Sequence, residues 1–111
     1  MRSGLLPRLA ALSGALAVIA GAFGAHGVTG KPAEWLRTGA EYEMVHAVAA
    51  LFALKLARSP LAGLLLLGGS AVFAATLYAM ALGAPHWLGA VTPIGGVGMI
   101  AGWLVLALHR K

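Results

Sequence analysis

The stretch LAGLLLLGGSAVFAATLYAMALG, residues 61–83, holds no charged side chain along its whole length. About 20 apolar residues in helical form cross the ~30 Å hydrocarbon core of a bilayer. A helix also satisfies its own backbone hydrogen bonds where no water can do so. Residues 61–83 are therefore read as a transmembrane helix, and the rest of the chain is read outward from them.

Downstream, Ala84-Pro85-His86-Trp87 is a loop signal. A further apolar span follows over 92–108, with Thr92 placed to N-cap it and Pro93 tolerated in its first turn. Upstream, Arg58-Ser59-Pro60 marks a turn. Before it, residues 40–57 form a span that carries Glu41, Glu43 and His46 in its first two turns. The polar stretch from His26 to Gly39 contains Pro32-Ala33-Glu34-Trp35-Leu36-Arg37. That run is predicted as a short amphipathic helix in the first external loop, with Trp35 and Leu36 resting in the interface. Residues 5–25 form the remaining span. Their basic start and Ala20-Gly21-Ala22 also resemble a signal peptide, but a retained transmembrane helix is the expectation. The predicted architecture is an all-α membrane protein, a single domain over 1–111 folded as a four-helix transmembrane bundle.

Composition supports this. Sixty per cent of residues are apolar and 10% charged, against roughly 25% charged in ordinary globular proteins. Asp, Asn and Gln are absent, and the acids are Glu34, Glu41 and Glu43 alone. A water-soluble domain could not cover its surface with so few polar groups. The net charge of +5 does not point to nucleic acid, because the cations flank apolar runs instead of forming a patch. The lipid bilayer is the expected partner, alongside a homo-oligomer or a larger membrane complex.

Six cations (Arg2, Arg8, Lys55, Arg58, Arg110 and Lys111) fall on one side of the predicted spans, with Lys31 and Arg37 on the other. Lys and Arg are enriched in cytoplasmic loops. Both termini and the Arg58 turn are accordingly expected in the cytoplasm.

Lipid is as apolar as the side chains it touches, so helices associate through close contact of small residues. Small residues recur four apart on each predicted span, and Gly21, Ala53, Ala75, Gly98 and Gly102 are the expected packing positions. Packing within one bundle is favoured over a dedicated dimer face. Trp35 and Trp87 on the outer side, with Trp103 nearer the inner side, fit aromatic belts.

The polar residues gather toward the predicted outer ends, where His26, Glu43, His46, Tyr78 and His86 form the candidate cluster. Glu43 and His46 are three apart, on one helical face, and are expected to point into the bundle, since ionisable groups at depth need partners. Glu-x-x-His is also the ligand spacing of carboxylate metal bundles, which repeat it; here it occurs once. No metal or other cofactor and no catalytic residue is assigned: Ser13 and Ser70 have no evident base, and there is no Cys. A compact exporter built on a carboxylate in its first helix is disfavoured, because that span has no acid.

The motifs GAFGAHG (21–27), WLRTGAEYEMVHA (35–47), LYAMAL (77–82) and VTPIGG…AGW (91–103) occur in an order and spacing that resemble the YgdD/YwdK-like family of small inner-membrane proteins. The resemblance covers nearly the whole chain. It implies a four-span bacterial inner-membrane protein and supplies no activity. The family pattern has Gln where this chain has Glu43, which implies hydrogen bonding there more than charge. The expected function is that of a structural or accessory membrane component and not an enzyme. The alternative is a protein that binds or transports a small solute, proton or metal ion at the outer polar cluster.

Overall fold

A computed structural model describes residues 4–109, so Arg2, Arg110 and Lys111 lie outside the described residues. The elements are α1 (Leu5–His26), α2 (Gly30–Lys55), α3 (Pro60–Ala81), a short 3-10 turn (His86–Ala90) and α4 (Thr92–Leu108). Among the described residues the regular structure is helical throughout. Each helix packs on its neighbour in the chain, α1 touches α3 only lightly, and α1 and α4 have no extensive contact.

Three stretches are long and apolar enough to cross a membrane: Leu5–His26, Pro60–Ala81 and His86–Leu108. The outward faces bear Leu12, Leu16, Ile19, Val48, Ile94, Val97 and Ile100, all exposed. Apolar surface of that extent is unstable in water and belongs against lipid.

The expected short helix before the second span is not a separate element. It is continuous with that span as α2, which runs unbroken from Gly30 to Lys55. Pro32 sits in the first turn, where its missing N–H has no partner to lose. Gly39 does not break the helix, since an interior glycine costs only about 1 kcal/mol. Tertiary contact offsets that cost: Leu36, 3% exposed, packs against Gly24 of α1 and does not rest in an interface. Glu43 therefore sits mid-helix, roughly 18–20 Å from either end of α2 at 1.5 Å per residue, and not near an outer end.

Helix α1 buries Ala10, Ser13, Ala17, Ala20 and Gly24, an alternating spacing of three and four that keeps one seam against its partner. The α2–α3 turn closes with Arg58 in the left-handed region, φ 61°, and Ser59 Oγ accepting from the Ala62 N–H at 3.2 Å. Helix α3 departs from expectation: Ala75 is exposed, and Ala62, Gly63, Leu66, Gly69, Ser70 and Ala74 form the buried surface. The correction has a simple cause. This helix is apolar all round, so a four-residue row of alanines does not reveal which side meets protein. Ala53 is fully buried in the α1–α2–α3 core, Gly21 is half-buried on α1, and Gly98 and Gly102 lie against α3.

Candidate functional site

Glu43 is the hub of the polar interior. It is 4% exposed, and each carboxylate oxygen accepts one hydrogen bond from a different helix. Ser13 Oγ on α1 donates to Oε2 at 2.6 Å, and the Tyr78 hydroxyl on α3 donates to Oε1 at 2.6 Å. Tyr78 reaches it by lying over Gly39, one turn before Glu43, where a Cβ would meet the Tyr78 ring at 2.7 Å. Glycine is needed at 39 because the ring occupies that space.

His46, three residues on along the same broad face of α2, bonds to a different helix. Its Nδ1–H donates to the Tyr42 carbonyl at 2.7 Å, and its Nε2 accepts from the Trp103 indole of α4 at 2.9 Å. An indole nitrogen only donates, so the Trp103 bond assigns the ring its Nδ1–H form. Both ring nitrogens are engaged, which leaves no free nitrogen to bind a metal. Tyr42 flanks the same side chain and packs its ring 4.7 Å from that of Phe73. A third polar link joins α3 to α4, where Thr76 and Thr92 share a hydrogen bond of 2.6 Å. Thr92 opens α4 without capping it, its hydroxyl being committed to Thr76 and the Leu88 carbonyl.

The expected single cluster is thus two separate arms on α2. Glu43 and Tyr78 meet directly. His46 turns inward but bonds to Trp103. His86 packs edge-on against Trp35, ring centroids 5.2 Å apart, and His26 is exposed on the last turn of α1. Neither of these two joins Glu43. Among the described residues no three of His, Cys, Asp and Glu converge to hold a metal ion. Sequence reasoning missed Ser13 and Trp103. Ser13 does fall on the three-four seam of α1, a signal that could have placed it against α2; Trp103 offers no comparable sign.

The comparisons with known proteins bear on the whole chain. A family model described as a protein of unknown function, DUF423, matches residues 20–96. The chain is 41% identical to a UPF0382 membrane protein of Haemophilus influenzae, covering 89% of this chain and 87% of the relative. It is 40% identical to the UPF0382 membrane protein YwdK of Bacillus subtilis, with 90% of each covered. It is 34% identical to the UPF0382 inner membrane protein YgdD of Escherichia coli, over 96% of this chain and 88% of that one. No solved structure matches. A chain with this helical architecture and these relatives belongs to the DUF423 family of UPF0382 membrane proteins.

Proposed function

We propose that the protein is a structural or accessory component of the bacterial inner membrane. It crosses the membrane four times as one domain, with both termini and the Arg58 turn in the cytoplasm. The observation that supports this reading is the closure of its polar interior. Among the described residues every buried side-chain nitrogen and oxygen has a hydrogen-bond partner within the chain. Glu43 ties α2 to α1 and α3, His46 ties α2 to α4, and Thr92 ties α4 to α3. A transport site works by offering unfilled ligands to a passing ion, and these groups are already filled by one another.

Helix α2 is included among the spans although its charges keep it out of the purely apolar set. Two of the ionisable groups in its middle, Glu43 and His46, face protein, where charge and polarity are tolerated, while Glu41 beside them is exposed. The test is topological. Reporter fusions at Ser59 and Lys111 are expected to read cytoplasmic, and those at Gly30 and Ala84 external. An external carboxyl end would overturn the four-span reading. Solute or proton flux through reconstituted protein that vanished in Glu43→Gln would replace the structural role with the transport one.

A further inference from the structure

Between the outward faces of α1 and α2 lies an apolar groove of about 790 Å³. Buried Ala17 and Ala40, with Gly21, make its floor. Beside the floor stand Met44, Val45 and Val48 of α2, which are 40%, 56% and 65% exposed and form a ridge. Groove and ridge are therefore adjacent on one face, and the ridge is made of side chains sized for such a slot.

At the end nearer the start of α2, Arg37 and Glu41 line the same groove, one helical turn apart and both exposed. Among the described residues the one ion pair is Lys31–Glu34, at 3.5 Å, so Arg37 and Glu41 have no ionic partner there. Their order, cation before acid, is the weaker arrangement for pairing within one helix. Charges on a lipid-facing surface are costly without a partner.

We propose that this face binds a second copy of the chain, forming a two-fold symmetric dimer through α1 and α2. The inference rests on α2 crossing the membrane, as argued above. Copies inserted the same way can be related by a two-fold axis only along the membrane normal, which sets the two α2 helices side by side at equal depth. A two-fold interface uses the same patch on both partners, so each element must find its complement on the patch itself. This patch meets that requirement twice. The Met44–Val45–Val48 ridge of one copy fills the other's groove, and Arg37 of each copy faces Glu41 of the other.

The chain has no cysteine, so single substitutions report contact cleanly. In liposomes holding the full chain, Val45→Cys and Val48→Cys are expected to cross-link to dimers on oxidation. Ile100→Cys, on the exposed face of α4, is the control and is expected not to cross-link. Arg37→Glu alone, or Glu41→Arg alone, is expected to weaken dimerisation on the order of tenfold or more, since it places like charges together. The double exchange Arg37→Glu with Glu41→Arg is expected to restore it. Cross-linking no stronger than the Ile100→Cys control, or failure of the double exchange to restore the dimer, overturns the proposal. A monomer retaining phospholipid that is lost in Arg37→Gln would assign the groove to lipid and also overturn it. Protection of Val48→Cys from a membrane-impermeant maleimide reports on the burial of α2 separately, so failure of the dimer and failure of the span are distinguishable.

Discussion

The α1–α2 and α3–α4 contacts are both built from small residues, yet they hold their backbones at different separations. Between α1 and α2, a Cβ added at Gly14 would lie 3.8 Å from the Ala47 Cβ, and one at Gly21 would lie 3.5 Å from the Ala40 Cβ. Those are ordinary contacts between side chains. Between α3 and α4, a Cβ at Gly69 would meet the Met99 nitrogen at 2.6 Å and the Gly95 oxygen at 2.8 Å. One at Gly95 would meet the Phe73 nitrogen at 2.5 Å, and one at Gly102 the Leu66 nitrogen at 2.9 Å. There the backbones themselves touch. Small residues thus serve two purposes: α3 and α4 need glycine for contact, whereas α1 and α2 tolerate alanine and add a buried hydrogen bond, Ser13 to Glu43.

The largest effect is expected where the comparison is sharpest. Gly95→Ala puts a methyl group into the backbone of α3, which cannot rotate away as a side chain would. Overpacking a close contact costs about 1–3 kcal/mol, and a clash with backbone belongs at the top of that range. Unfolding in mixed micelles with rising denaturing detergent would measure it, with Gly69→Ala expected to match. Tolerance of alanine at both sites would show that α3 and α4 stand further apart than the distances above.

Second in size is the polar element of the other half. Glu43→Ala removes two interhelical bonds and strands the Ser13 and Tyr78 hydroxyls, while leaving a cavity between three helices. Hydrogen bonds between membrane helices average about 0.6 kcal/mol and reach about 1.7, so the double loss with its cavity is expected to cost about 2 kcal/mol. Glu43→Gln keeps the shape and is expected to cost less than half as much. The same unfolding experiment decides, and an equal cost for Gln and Ala would mean that the negative charge holds the site together.

How far these details can be read from the sequence differs by region. Three spans are plain because an uncharged run of that length has few other homes. The true start of α2 is hidden because Lys31, Glu34 and Arg37 look like loop residues, while the face that continues the helix consists of Ala33, Leu36 and Ala40 packed on α1. Glu43 and His46 are legible as inward-facing because burial depth demands partners. The partners themselves are not, except Tyr78. Ser13 is one small hydroxyl among many small residues, and Trp103 reads as an interfacial aromatic until its indole is seen on His46. The packing face of α3 is illegible for a general reason. Against lipid, the outward side is as apolar as the inward side, and the contrast that marks a core in water is missing.

The smallest expected effect carries the opposite sign and so tests the comparison most directly. Gly21 lies within α1 with ordinary helical geometry, and nothing but the Ala40 Cβ stands within reach of an added methyl. Alanine there removes the conformational freedom that makes an interior glycine about 0.8–1.0 kcal/mol less favourable in a helix. It also gains a contact at 3.5 Å. Gly21→Ala is therefore expected to leave stability unchanged or raise it by up to about 1 kcal/mol, with Gly14→Ala behaving alike. The exception within the same helix is Gly24, where a Cβ would lie 3.0 Å from the Leu36 Cβ and 3.4 Å from the Ala33 carbonyl. Gly24→Ala is expected to destabilise. A series of Gly14→Ala, Gly21→Ala and Gly24→Ala, measured beside Gly95→Ala, reads the α1–α2 separation position by position. If Gly21→Ala cost as much as Gly95→Ala, the two helix pairs would be equally tight, and the distinction between alanine-tolerant and backbone-on-backbone packing would have to be abandoned.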